Sequence, residues 1–270
     1  MKNGQLILNV KENADFEKAQ RISKKLNFEI ITESNFKSDL ILQLDENGLS
    51  LVSDNMKLFG DFTKTIKRIK QSNLKKELLI HAAKIKGKKQ DLVAIDATAG
   101  MGEDSMLLAA YGFQVNLYEN NPIIAELLKD ALERAQQIPE LKEIVGRMKV
   151  FEEDSILAMQ NLDYEPDVIL LDPMFPERTK SALIKKKFQI LHKIETPCTN
   201  EKELLDSAIK ANPKKIVIKR PLKGEYLAGV KPNYSVKGNS IRYDCFFIGD
   251  CPQWKISHPG LSPMQKNSHN

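Results

Sequence analysis

The sequence predicts an α/β protein: a doubly wound, mostly parallel sheet closed by a C-terminal antiparallel hairpin, with a small N-terminal α/β appendage. Three observations predict it. From residue 91, the apolar runs LVAIDA, QVNLYE, MKVFEE, DVILLD and KKIVIKR alternate with stretches of helical periodicity. Strands alternating with helices imply right-handed βαβ units, and hence a parallel sheet. The segment YSVKGNSIRYDCFFIG then has two apolar halves with no helix between them, the pattern of a hairpin. The first 60 residues do not follow this alternation and form a unit of their own.

Taken in order, LILNV reads as a strand, and ADFEKAQRISKKLN as a helix with its apolar face at Phe16, Ala19, Ile22 and Leu26. LILQLDENGLSLV is a hairpin signal, because Asn47-Gly48 suits a tight turn between alternating apolar segments. Residues 62–85 read as helical and basic. These patterns divide the chain into an appendage (1–60), a basic helical connector (61–89), the main α/β domain (90–250) and a loose tail (251–270). No internal repeat is visible.

Composition bounds the function. Apolar residues at 41% and charged residues at 29% describe an ordinary globular chain. Cys198, Cys245 and Cys251 form no CxxC pair, and His81, His192, His258 and His269 lack metal-ligand spacing, so neither a disulfide framework nor a metal site is expected. The opening MKNGQLILNVKENADFEKAQ has no apolar leader, and no apolar stretch approaches the roughly 18 residues that span a bilayer. A cytoplasmic protein with no membrane contact and no obligate protein partner is the expectation. The net charge is +5, but between Lys64 and Lys89 ten Lys or Arg stand against one acid, Glu77. Such a run suits either a solvated helix face or a polyanion.

In an open parallel sheet, ligands bind beyond the carboxyl ends of the strands. The first strand ends in Asp96-Ala97-Thr98-Ala99-Gly100-Met101-Gly102-Glu103-Asp104. Its glycines let backbone approach a ligand, and the amides opening the next helix favour polar groups. The second ends in Glu119, 23 residues after Asp96, where an acid can accept both hydroxyls of a ribose. The third ends in Asp154-Ser155, where Asp154 can accept from an adenine amino group, cap the following helix, or do both. The fourth ends in Asp172-Pro173-Met174-Phe175.

This order of groups is the layout of an S-adenosylmethionine-dependent methyltransferase. A nicotinamide dehydrogenase shares the first two, but ATAGMGEDS does not space its glycines as GxGxxG, and Glu103 and Asp104 would repel a diphosphate. An Asp-Pro-x-aromatic strand end suits methylation of an exocyclic base amine. The Asp172 carboxylate and the Pro173 carbonyl accept the amino hydrogens, while Phe175 stacks on the flipped base.

LDPMFPERTKSALIKKK, with IDATAGMGEDS, LYENNP, KRP and KGNSIRYD, resembles the bacterial small-subunit ribosomal RNA guanine-N2 methyltransferase family known as RsmJ. The resemblance runs from about residue 25 to residue 249. It implies methyl transfer from S-adenosylmethionine to N2 of one guanosine near the 3′ end of 16S rRNA, free or within the small ribosomal subunit. It places cofactor contacts at Glu103, Asp104, Glu119, Asn120, Asp154, Ser155 and Asp172, beside Gly100 of the glycine turn. Glu103 stands where the family carries a basic residue, and Asp154 where it carries a small hydroxyl. With that substrate, Lys185, Lys186, Lys219 and Arg220 are expected to grip RNA phosphates beside the catalytic pair Asp172 and Phe175. The alternatives are an N6-adenine nucleic-acid methyltransferase and a non-catalytic RNA-binding or ribosome-assembly protein with the same fold.

Overall fold

A computed structural model describes residues 7–32, 40–53, 56–87, 90–173, 194 and 200–248. Phe175, Lys185, Lys186 and the 251–270 tail lie outside the described residues. The described residues form two sheets.

The larger sheet has seven strands in the order β11-β12-β10-β9-β6-β7-β8. The chain enters it through β6 (Leu92–Asp96), α5 (Glu103–Tyr111), β7 (Phe113–Tyr118), α6 (Pro122–Ala135), α7 (Pro139–Val145), β8 (Met148–Phe151) and α8 (Ser155–Gln160). It then crosses to β9 (Val168–Leu171) on the other side of β6 and continues through α9 (Glu201–Lys210) to β10 (Lys215–Pro221). Strands β6 to β10 are mutually parallel, whereas β11 (Tyr234–Lys237) and β12 (Ile241–Phe247) form the antiparallel closing hairpin. The fold is therefore the doubly wound one that the alternating pattern predicts.

Strand β9 shows why its sequence is an unbroken apolar run. Val168 and Leu170 join the core under α5, α7 and the helix Leu78–Ala83, while Ile169 and Leu171 join the opposite core under α8 and α9. A strand covered on both faces has no polar side to present. The same alternation on β10 sends Val217 to the first core and Ile216 and Ile218 to the second.

The smaller sheet, in the order β2-β1-β3-β4-β5, comprises β1 (Ile7–Val10), β2 (Glu29–Ile31), β3 (Ile41–Asp45), β4 (Gly48–Ser53) and β5 (Met56–Phe59). Helix α1 (Phe16–Leu26) starts where the Asp15 side chain accepts from Lys18 N and ends at Asn27 in the left-handed conformation. The β3–β4 hairpin turns one residue earlier than its sequence suggests: Asp45 pairs with Gly48, so Glu46 and Asn47 form the turn. Gly48 is needed for another reason. It has φ +120°, and a Cβ there would lie 2.5 Å from Arg134 Nε and 2.8 Å from Asp130 Oδ2 on α6.

That close approach belongs to an extensive joint between the two sheets. Leu49 and Leu51 share one apolar cluster with Ile123, Ile124 and Leu127 of α6. Around it, Lys25 and Arg21 of α1 reach the buried Glu126 carboxylate at 2.7 and 3.0 Å, and Lys18 reaches Asp130 at 2.7 Å. A buried acid without such partners would carry a desolvation cost of several kcal/mol.

Between the sheets run a 3-10 turn (Phe62–Thr65) and the short helices α2 (Ile66–Ile69), α3 (Gln71–Leu74) and α4 (Leu78–Ala83). Phe62, Ile69, Leu74, Leu79 and Ile80 pack into the same core as Met106 and Leu107 of α5. The ammonium of Lys215 closes the far end of α4, donating to the carbonyls of Ala82 and Lys84 at 2.8 and 2.5 Å.

Candidate active site

The chain runs from β6 outward to β8 and then jumps back to β9, so the sheet reverses direction between β6 and β9. A ligand crevice forms at such a reversal. The ends of four strands supply its residues.

At the end of β6, the Asp96 carboxylate is buried and accepts from Ser105 Oγ at 2.5 Å and Thr98 N at 3.2 Å. These bonds fold residues 97–102 over the strand end. Burial, with the nearby charges of Asp104 and Asp172, pushes Asp96 up to about 7, against the opposing hydrogen bonds. Gly102 caps α5 at φ +73°, and a Cβ there would lie 2.8 Å from Leu128 Cδ1. Gly100, at φ +52°, has no atom of the described residues within 4 Å of its Cβ position, its own chain neighbours aside. Glu103 is exposed and Asp104 partly buried in the first turn of α5, where acids complement the helix dipole.

At the end of β7, Glu119 is buried and holds two backbone amides: Oε2 accepts from Gly100 N at 2.9 Å and Oε1 from Asn121 N at 2.8 Å. It joins the glycine turn to the start of α6. Burial raises its pKa while the two amides work the other way. Each oxygen has spent one lone pair and keeps another, and no cation pairs with it among the described residues. Asn120 is exposed. Its neighbour Asn121 caps α6, accepting from Ile123 N and Ile124 N, and donates through Nδ2 to the Ile194 carbonyl at 2.9 Å.

At the end of β8, Asp154 is the N-cap of α8: its Oδ1 accepts from Ile156 N at 2.7 Å and Leu157 N at 3.4 Å. Ser155 is the first residue of that helix. Leu157 is exposed beside this cap and presents apolar surface on the same rim.

At the end of β9, the Asp172 N–H donates to Thr98 Oγ1 at 2.7 Å. Its Oδ2 lies 2.8 Å from Lys219 Nζ, and the same nitrogen lies 2.8 Å from Asp104 Oδ2. Burial raises the Asp172 pKa; Lys219 opposes the rise and Asp104 adds to it. Burial pulls the Lys219 ammonium down, but the two carboxylates overcome it and leave its pKa raised.

Two residues expected on an RNA-gripping rim are placed otherwise. Lys219 is engaged by Asp104 and Asp172 inside the crevice. Arg220, next in the strand, turns to the opposite face: it is buried, donates to the Glu225 carbonyl at 2.7 Å and lies 3.5 Å from Glu201. Both basic groups are paired within the protein. The structure thus joins Gly100 to Glu119 and Asp104 to Asp172, and sets Asp154 and Ser155 two strands away from β6. Sequence reading did not single out Thr98 or Ser105, although the hydroxyls of ATAGMGEDS were visible in it.

Residues 22–248 match the family described as "Putative SAM-dependent methyltransferase". The ribosomal RNA small subunit methyltransferase J of Acinetobacter baumannii (strain AYE) is 38% identical over 222 residues, covering 77% of this chain and 78% of its own. That of Thioalkalivibrio sulfidiphilus is 35% identical over 241 residues, covering 86% of this chain and 94% of its own. A solved SAM-dependent methyltransferase from Neisseria gonorrhoeae superposes with a TM-score of 0.72 at 25% identity, covering 92% of this chain and 98% of its own. A family match over most of the chain, and relatives this similar over most of their length, place the chain in the ribosomal RNA small subunit methyltransferase J family.

Proposed function

We propose that this protein methylates the exocyclic N2 of one guanosine in 16S ribosomal RNA, with S-adenosylmethionine as donor and the small ribosomal subunit or its RNA as substrate. The relatives' shared name supports ribosomal RNA as the substrate. The choice of amine rests on Asp172-Pro173 and on the resemblance of the surrounding sequence to guanine-N2 methyltransferases.

The donor set fits the cofactor. Glu119 is a buried carboxylate with one unspent lone pair on each oxygen, which suits a pair of ribose hydroxyls. No described residue beyond its chain neighbours crowds the Cβ position of Gly100 in the turn. The carboxylates of Glu103 and Asp104 give an acidic helix start that tolerates a cationic sulfonium and amino group but disfavours a diphosphate, while the backbone of Glu103 offers the contact to the cofactor. Asp154 and Leu157 offer an acceptor and an apolar surface for adenine. When bound, the cofactor supplies an electrophilic methyl group whose carbon–sulfur bond breaks as the new carbon–nitrogen bond forms.

The single observation that carries the catalytic reading is the setting of Asp172. Its Oδ2 is held by Lys219 and its N–H by Thr98, which leaves Oδ1 without a hydrogen bond among the described residues. An aromatic amine is a poor nucleophile because its lone pair is delocalised into the ring. Asp172 Oδ1 and the Pro173 carbonyl would accept its two hydrogens and draw the nitrogen toward a pyramidal, more nucleophilic geometry. Phe175 would stack on the extruded base. The methylated amine is cationic and strongly acidic, so its proton passes to water without a dedicated base.

Phosphate contacts are assigned to the connector as well as to Lys185 and Lys186. Lys64, Lys67, Lys70, Lys75 and Lys76 are exposed on a segment packed against α5, whose first turn borders the crevice. Arg68, in the same segment, forks Glu77 at 2.9 Å and feels the charges of Asp104 and Glu103. Such contacts supply affinity that falls steeply with salt, not base choice.

The test is transfer of labelled methyl to 16S rRNA and to small subunits from a deletion strain, followed by nucleoside analysis. N2-methylguanosine is expected. Label in N6-methyladenosine would move the assignment to adenine, and no transfer to either substrate would favour a non-catalytic RNA-binding role.

A further inference from the structure

Lys219 was expected at the RNA surface, and the structure puts its ammonium between two acids. Strand order explains how. β10 lies beside β9, which lies beside β6, so residues at the ends of all three strands meet in one crevice. Along β10, Lys219 shares the face of Val217, the face covered by α5, whereas Arg220 shares the face of Ile218. Lys219 Nζ is therefore within 2.8 Å of Asp104, at the start of α5, and of Asp172, at the end of β9.

We propose that Lys219 is a positioning residue for methyl transfer: bridging Asp104 on the cofactor side and Asp172 on the base side, its ammonium aims Asp172 Oδ1 at the amine and keeps Asp172 a carboxylate. This rests on the catalytic reading of Asp172 given above. The charges facing Asp172 make the bridge necessary. Asp96 of β6 and Asp104 of α5 are acids in the same crevice, and each disfavours a second negative charge nearby. Opposing them, Lys219 of β10 is in direct contact, while Arg220 acts from the other face. Arg68 of α2 is directed chiefly to Glu77. Tyr243 of β12, the cross-strand partner of Lys219, has its pKa raised by burial and the nearby acids, so it stays neutral. Without Lys219, Asp104 and Asp172 would face each other uncompensated, and one would take up a proton or swing away. A protonated Asp172 would lose the negative charge that stabilises the amine as it becomes cationic.

The proposal is tested by kcat as a function of pH, at saturating cofactor and RNA, for the wild type and three variants. An opposite charge in contact shifts a carboxylate by about 1–3 pH units. Lys219→Gln should therefore have the acid limb of kcat moved up by about that amount, so that the loss is deepest at low pH and activity recovers as pH rises. Lys219→Arg keeps the charge and should leave the limb at the wild-type position, even if changed reach lowers kcat. Asp104→Asn removes the competing acid and should move the limb down. An equal loss at every pH in Lys219→Gln would reduce Lys219 to a structural residue and overturn the proposal. Should Lys219→Gln fail to fold, an unmoved limb in Asp104→Asn, or a raised one in Lys219→Arg, would overturn it instead. Failure of the functional reading looks different: the wild type would not methylate guanosine, or Asp172→Ala would turn over normally.

Discussion

The N–H of Asp172 donates to the hydroxyl of Thr98 at 2.7 Å, so the end of β9 is tied to the loop that leaves β6. One hydrogen bond joins the cofactor turn to the residue assigned to the base amine. Replacing Thr98 by valine keeps the shape but removes the acceptor, leaving an N–H without a partner at a cost of about 1–3 kcal/mol. Thr98→Val should unfold at lower denaturant and show reduced kcat, whereas Thr98→Ser should behave nearly as wild type. Equal stability of all three proteins would mean that the bond contributes nothing.

Asp172→Ala should abolish methyl transfer while retaining most of the RNA affinity, because phosphate contacts dominate that affinity. Asp172→Asn is the more discriminating change. It keeps an acceptor oxygen but gives up the ion pair to Lys219. Partial activity is expected if Asp172 works mainly by accepting hydrogen bonds, and little if its negative charge matters. Single-turnover rates together with filter binding across a salt series separate chemistry from affinity.

Glu119 should govern cofactor binding. Glu119→Ala removes the acceptor for ribose hydroxyls, a loss on the order of 1.5–3 kcal/mol, seen in calorimetry as a roughly ten- to hundred-fold higher Kd. The structure adds a sharper expectation for Glu119→Gln. Both carboxylate oxygens already accept backbone N–H groups, from Gly100 and Asn121. A glutamine NH2 would set donor against donor at one of them, so this isosteric change should bind the cofactor almost as poorly as alanine.

Asp96 predicts a pH signature in stability. Its folded-state pKa, near 7, lies above the ordinary carboxylate value, so the folded protein holds this proton more tightly than the unfolded chain does. That contribution is fully present below about pH 4 and is lost as pH rises through 7. Asp96→Asn cannot ionise and should escape the loss. The difference in Tm between variant and wild type should thus shift in favour of the variant from pH 4 to 7 and level off above. A difference that stays flat with pH would show that Asp96 titrates normally.

How far the sequence could be read differs between fold and site. The parallel sheet was legible because β9 and its neighbours are buried on both faces and so appear as unbroken apolar runs. The acids at the strand ends were legible because the sheet's geometry dictates where ligands sit. What the sequence could not show was which side chains meet across strands. Lys219 and Arg220 are adjacent and both basic, yet period-two alternation sends one to Asp104 and Asp172 and the other to Glu201 and the Glu225 carbonyl. Alternation says that they diverge; only the crossover from β8 to β9 decides what each one finds. Gly48 was visible as a turn residue, but the side chains pressing on it, Asp130 and Arg134, lie more than 80 positions further along.

That distance has a consequence for biosynthesis. Leu49 and Leu51 of the small sheet find their cover in Ile123, Ile124 and Leu127 of α6. Some 76 residues separate the end of β5 at Phe59 from the end of α6 at Ala135 (135 − 59). At about 5–20 residues per second of translation, the small sheet leaves the ribosome roughly 4–15 s before the helix that shields it. For that interval the nascent chain presents an aliphatic face, flanked by Lys18, Arg21 and Lys25 still awaiting their acidic partners. A chaperone that recognises apolar segments set among cations would meet such a face at this stage of synthesis, and only at this stage.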